Sequence, residues 1–336
     1  SAIPCQQRVE DLSPVQQLVT QTMKTSRNTR LIVFLFLAFL SITQSFPTFR
    51  PTMTKISRRP SPYADSKVLA LVPIHSSNPF WKAVSIYAAT DAVGFVVSVL
   101  TGSHVHLDLI GSGAFGLVSV SNLLSSSQSA LTQSQKVSSI AVSLWSMKLA
   151  LFLFYRASRV GHDMRLEETL STVSGTFGFW FVTFVWNVAC SMPYLLGLLS
   201  SRSNPLFVNV GTIVYTIGLL LETVADLQKW WFKQAHPGRF CNVGLWALSQ
   251  HPNFFGNLVL WFGIFLMNVP AFLHPSTGYR RFALALISPI FMWSLLYGEA
   301  VGVVTNANQL ALDKYGSDME YQKYIQQVPV MIPKLW

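Results

Sequence analysis

The chain has 336 residues, of which 51% are hydrophobic and only 11% charged, and its mean hydropathy is +0.39. A soluble domain carries about a quarter charged residues, so this composition describes an integral membrane protein and excludes a soluble globular enzyme. The net charge of +10 is concentrated in the leader and beside apolar spans, where membrane topology accounts for it and no nucleic-acid partner is expected. Long uninterrupted apolar runs, without period-two alternation, exclude a β-barrel. Cys5, Cys190 and Cys241 provide neither a disulfide framework nor a CxxC pair, so no metal site is expected.

The first 65 residues read as an address. Met23 to Arg30 is a basic n-region, and Leu31 to Ile42 is an apolar core of signal-peptide length, too short to span comfortably. From Phe46 to Ala64 there is no acidic residue, while Arg50, Lys55, Arg58 and Arg59 stand among Ser, Thr and Pro. This pairing resembles the two-part plastid presequence of algae with secondary plastids. It implies a start at Met23, with Ser1 to Thr22 upstream of it. The alternative is a signal anchor in the endoplasmic reticulum.

Residues 66–336 form the membrane domain. Apolar stretches of about bilayer length predict an all-α, polytopic bundle of about seven transmembrane helices, at roughly 81–101, 107–125, 138–157, 176–200, 205–231, 255–274 and 281–304. The Ser/Gln-rich joint from Ser126 to Lys136 reads as a loop. Basic residues after span three (Arg156, Arg159, Arg165), after span five (Lys229, Lys233, Arg239) and in the tail (Lys314, Lys323, Lys334) place those segments on one side, cytosolic or stromal. Glu222, Asp226, Lys229 and Lys233 follow one another at spacings of four, three and four, which puts them on one helical stripe as span five leaves the membrane. Such a stripe lines a polar pocket at the interface.

Four ordered motifs carry a resemblance. Gly238 to Asn257 contains Ser-Gln-His-Pro-Asn-Phe-Phe-Gly-Asn, preceded by Glu222 to Lys233. Upstream lie Leu144 to Arg156 and Gly161 to Arg165; at the end come Lys314 to Tyr324 and Val328 to Pro333. Over about residues 107–336 the chain resembles the steroid 5-alpha-reductase-like superfamily, especially its poorly characterised membrane branch. The resemblance implies a membrane-embedded reductase that uses NADPH to saturate a carbon–carbon double bond, commonly one conjugated to a carbonyl. Its substrate would be a lipophilic small molecule entering from the membrane lipids, and nothing in the sequence sets an oligomeric state. Hydride attack on an enone builds charge on oxygen, so a donor must face it, and the alpha carbon needs a proton.

By position, Asp226, Lys229, Asn253 and Tyr315 match family positions that touch the cofactor. Asp226 and Asn253 suit the ribose or the nicotinamide amide, while Lys229 and Lys233 meet phosphates as point charges. His251, before Pro252, is either a cofactor contact or a structural histidine satisfying loop carbonyls. Glu222 and Glu299 lie at depths where a carboxylate must be paired, protonated or solvated. Glu222 is the candidate catalytic carboxyl, and Tyr297 is the tyrosine best placed to polarise a carbonyl, although membrane tyrosines also anchor at interfaces. Asp91 reads as water-exposed, Lys148 as a snorkelling lysine, and Trp230, Trp231 and Trp246 as an interfacial belt.

The chain departs from the family pattern. Gln250 stands for the usual arginine before His-Pro, Asn257 for the usual glutamate, and Asn306, Asn308 and Gln309 replace charged residues. Two other functions therefore stay open: a methyltransferase using S-adenosylmethionine, and a lipid-binding protein on the same scaffold.

Overall fold

Asn-Pro steps open two of the helices. Asn78 and Asn204 each accept a hydrogen bond from the backbone two residues on, at 2.9 Å, and the following proline starts the helix with φ already set. The structure is a computed structural model describing residues 78–103, 105–125, 131–160, 170–273, 279–303 and 307–334. The expected leader, the Gly161 to Arg165 motif and Asn306 lie outside the described residues.

The helices in chain order are α1 (Pro79–Thr101), α2 (Leu107–Ser125), α3 (Gln133–Val160), α4 (Val173–Leu198), α5 (Pro205–Ala235), α6 (Pro252–Phe272), α7 (Arg280–Ala285), α8 (Ile287–Ala300), α9 (Ala307–Tyr315) and α10 (Met319–Gln327). A 3-10 turn, Gly244–Ala247, lies between α5 and α6. The described residues are all-α, and seven segments are long and apolar enough to cross a membrane. This is an integral membrane protein.

Two boundaries differ from expectation. The polar joint already becomes α3 at Gln133, because Gln135 donates to the carbonyls of Gly197, Leu198 and Ser200 and so anchors the helix start to the end of α4. The last span is broken at Leu286 into α7 and α8.

The most extensive helix pair is α5 with α6, which run antiparallel. Glycines make the close approach possible. A Cβ on Gly218 would lie 2.3 Å from the Leu260 nitrogen, one on Gly256 2.5 Å from the Glu222 nitrogen, and one on Gly263 2.4 Å from the Tyr215 nitrogen. Gly211 meets the Gly263 carbonyl in the same way. Gly211 and Gly218, like Gly256 and Gly263, are seven residues apart, so they fall on one seam. Small residues at such seams let membrane helices meet backbone to backbone.

At 31 residues α5 is about 46 Å long, well beyond the roughly 30 Å of a hydrocarbon core. The 28-residue α3 overshoots too. Their C-terminal turns carry Arg156, Arg159, Lys229 and Lys233 out together. Below them an aromatic core packs edge to face, with Phe115 5.1 Å from Trp145 and Trp145 5.0 Å from Trp261. A second polar cluster lies between α1 and α4. There Asn187 donates to Asp91 at 3.3 Å and Tyr87 donates to Ser191. Asp91 is thus only 4% exposed, not water-facing as the sequence suggested.

Candidate functional site

The stripe expected on α5 exists, and it faces α6 across the glycine seam. In this antiparallel register Glu222 lies beside Asn257 and Asp226 beside Asn253. Asn257 Nδ2 donates to Glu222 Oε1 at 2.8 Å, and Asn253 Nδ2 donates to Asp226 Oδ1 at 3.2 Å. Lys148, from α3, sits between the two carboxylates, 3.0 Å from Asp226 Oδ2 and 3.4 Å from Glu222 Oε2. It is an ion-pair partner, not a snorkelling lysine, because the buried Glu222 and the partly buried Asp226 stand within its reach. The buried indole of Trp145 adds a longer bond to Glu222 Oε1, at 3.4 Å.

The two carboxylates and the two asparagines of this group form part of the wall of a cavity of about 390 Å³, at the lower end of small-molecule sites (about 300–1,000 Å³), with Lys148 and Trp145 behind them. Glu222, Asp226, Asn253, Asn257 and Arg156 give it a polar side; Leu107, Leu149, Leu153, Trp186, Met292, Leu295 and Leu296 give it an apolar one. Asp108 and Glu299 also reach it. Arg156, Asp226 and Asn253 line a second cavity as well, of about 240 Å³, together with Lys229 and Lys233. Those two lysines in turn line a third, of about 290 Å³, with His251, Tyr315, Tyr321, Tyr324 and Trp246. Shared walls thus string the three cavities from the pocket between the helices to the helix ends.

Placement of the candidate residues follows from this. Glu222, Asp226 and Asn253 converge on the first cavity; Asp226, Asn253, Lys229 and Lys233 on the second. Tyr315 and His251 stand in the third, one step away across the lysines. Lys229 lies over the Trp246 ring at 4.3 Å, whereas Lys233 donates to Tyr315 Oη at 2.6 Å and to the Arg239 carbonyl. Trp246 is only 3% exposed and donates to the Ala225 carbonyl, so it is an internal support and not part of an interfacial belt. Trp231 remains exposed.

Tyr297 is the expectation that needs correcting. The face of α8 that lines the first cavity carries Met292, Leu295, Leu296 and Glu299. Tyr297 points off that face, 43% exposed and stacked on Trp293 at 5.8 Å. The stacked pair fits a lipid-facing role better than polarising a carbonyl in the cavity.

Three of the departures from the family pattern acquire physical reasons here. Asn257 is the partner of Glu222. Gln250 donates to the Ile325 and Val328 carbonyls, and its backbone nitrogen to Pro329, so it fastens the tail over the third cavity. Asn308 donates to the Ala300 carbonyl. Lys148, Trp145, Arg156 and Asn257 were missed as site residues; the sequence signal for the first three was an intramembrane charge, an aromatic and a charged helix end on a span already matched by motif.

His251 precedes Pro252 at the start of α6 and stacks on Phe254 at 5.0 Å. Burial, reinforced by the Lys229 charge and opposed by a backbone hydrogen bond with Ala300, lowers its pKa from 6.5 to about 4. The imidazole is therefore neutral in the folded protein at neutral pH. Because the folded pKa is depressed, the stability it permits is whole above about pH 6.5 and drains away as pH falls toward 4. The expected loss is about 3 kcal/mol. Unfolding of the detergent-solubilised protein at pH 7, 5.5 and 4 measures it, and His251→Gln should flatten that part of the profile.

Fold and site together define a polytopic membrane protein with a polar, ligand-sized cavity enclosed between its helices. The chain belongs to the family described as a protein of unknown function, DUF1295, whose model matches residues 94–328. Neither the curated proteins nor the solved structures contain a match.

Proposed function

We propose that this protein is a membrane-embedded oxidoreductase that uses NADPH to reduce a carbon–carbon double bond of a lipophilic enone, of sterol, isoprenoid or acyl origin. The ordered motifs and the family membership support placing it in the steroid 5-alpha-reductase-like superfamily, and the leader composition supports a plastid membrane over the endoplasmic reticulum. One observation carries the reading. Asn253 and Asn257 both line the first cavity, and the Oδ1 atom of each is buried without a donor among the described residues.

A buried acceptor left without a donor costs about 1–3 kcal/mol, so these two oxygens call for N–H groups from a ligand. The carboxamide of a nicotinamide ring has two. Arg156 and Lys229, at the second cavity, suit the phosphates, and the aromatic third cavity suits an adenine ring stacked among Tyr315, Tyr321 and Tyr324. The residues present therefore fit the dinucleotide. When bound, NADPH would supply the hydride. The chain's own part is to hold the carboxamide by Asn253 and Asn257, to neutralise phosphate with Arg156 and Lys229, and to seat the lipid against Trp186, Leu295 and Leu296. Glu222 has one oxygen committed to Asn257 and the other turned to Lys148, which makes it a positioning group in this arrangement.

Four carboxylates on one cavity, Asp108, Glu222, Asp226 and Glu299, also suit a sulfonium cation, and S-adenosylmethionine is therefore the control ligand. Saturable binding of NADPH by the purified protein, with none of S-adenosylmethionine, is the expected result. Binding of the sulfonium alone moves the assignment to a methyltransferase, and binding of neither moves it to a lipid-binding scaffold. Lipid profiling after gene loss should reveal an accumulated unsaturated precursor.

A further inference from the structure

A single ammonium group organises the polar wall. Each carboxylate divides its oxygens: Glu222 gives Oε1 to Asn257 and turns Oε2 to Lys148, while Asp226 gives Oδ1 to Asn253 and Oδ2 to Lys148. Both asparagines are thereby drawn in by their NH2 groups, and both Oδ1 atoms remain as buried acceptors without a donor. A primary carboxamide can be turned either way, presenting oxygen or nitrogen. Only a fixed acceptor behind it chooses, and a carboxylate is acceptor-only as long as it stays ionised, which the ammonium between the two favours.

We infer that Lys148 is a positioning residue that sets the specificity of the cavity, fixing both carboxamides as acceptors so that they select a ligand group with two N–H donors. Lys148 does this from α3, a different helix from either pair, and touches both carboxylates at once. The inference rests on the nicotinamide reading above and names what that site discriminates against: a ring whose side group accepts but cannot donate. The acetylpyridine analogue of NADPH, in which a methyl replaces the amide NH2, is such a ligand.

The test measures dissociation constants of NADPH and of its 3-acetylpyridine analogue with the full-length purified protein. Wild type is expected to prefer NADPH by about 10- to 100-fold, the equivalent of stranding buried acceptors. In Lys148→Met the preference should collapse to within about threefold of unity, because a carboxyl that takes up a proton in place of the lost ammonium can donate to the carboxamide oxygen and let it turn; Lys148→Arg, which can still bridge two carboxylates, should keep it. If Lys148→Met does not fold, Lys148→Met combined with Glu222→Gln and Asp226→Asn removes the buried charges together and should show the same collapse. An undiminished preference in either methionine variant overturns the role of Lys148 while leaving the nucleotide site standing. Failure of the wild-type protein to bind NADPH overturns both.

Discussion

Gly218→Ala should destabilise the protein by about 3 kcal/mol, the upper end of overpacking penalties, and should weaken ligand binding with it. The added methyl would sit 2.3 Å from the Leu260 nitrogen, a backbone atom that cannot rotate away. Relief requires α5 and α6 to separate, and that separation pulls Glu222 from Asn257 and Asp226 from Asn253. The comparison is Gly113→Ala on α2, where nothing lies within 4 Å of the new Cβ. There the change should be neutral or stabilising by up to about 1 kcal/mol, from helix propensity alone. Thermal unfolding in detergent measures both, and equal shifts in the two variants would refute the glycine seam.

Asn253→Ala has the second large effect, this time on the ligand and not the fold. It removes one of the two free acceptors and leaves Asp226 Oδ1 without its donor, yet Lys148 still neutralises Asp226. NADPH affinity should fall by at least about 100-fold, equivalent to about 3 kcal/mol. The unfolding midpoint should stay close to that of the wild type. Titration of both proteins with NADPH checks the first expectation and calorimetry the second; unchanged affinity sinks the nucleotide assignment.

The spans were legible because hydrocarbon thickness imposes a length and an apolar composition that any reader of residues can count. Glu222 and Asp226 were legible because four-residue spacing on one helix is a local property. Lys148 was not: its partners lie 74 and 78 positions away, and only the packing of α3 against α5 brings them together. Asn257 misled for a related reason. Seen alone it was a charge lost from a motif, whereas beside Glu222 it is a donor matched to an acceptor. Tyr297 shows the cost of judging a face by one residue, since a position off by one from Leu296 points about 100° away on a helix. The outer end of the site was partly legible, through the basic and aromatic residues of the tail, but not the way Gln250 secures it.

The glycine seam also limits how this molecule can breathe. Packed backbone to backbone at four glycines and tied by the Glu222–Asn257 and Asp226–Asn253 bonds, α5 and α6 behave as one double rod, and a bulky guest cannot slip through that joint. The other walls of the hollow come from α2, α3, α4 and the final span, which is cut at Leu286 and is the least enclosed of the seven. For the lipophilic substrate proposed above, that segmented span is the expected way in from the bilayer, a door leaf beside a rigid post.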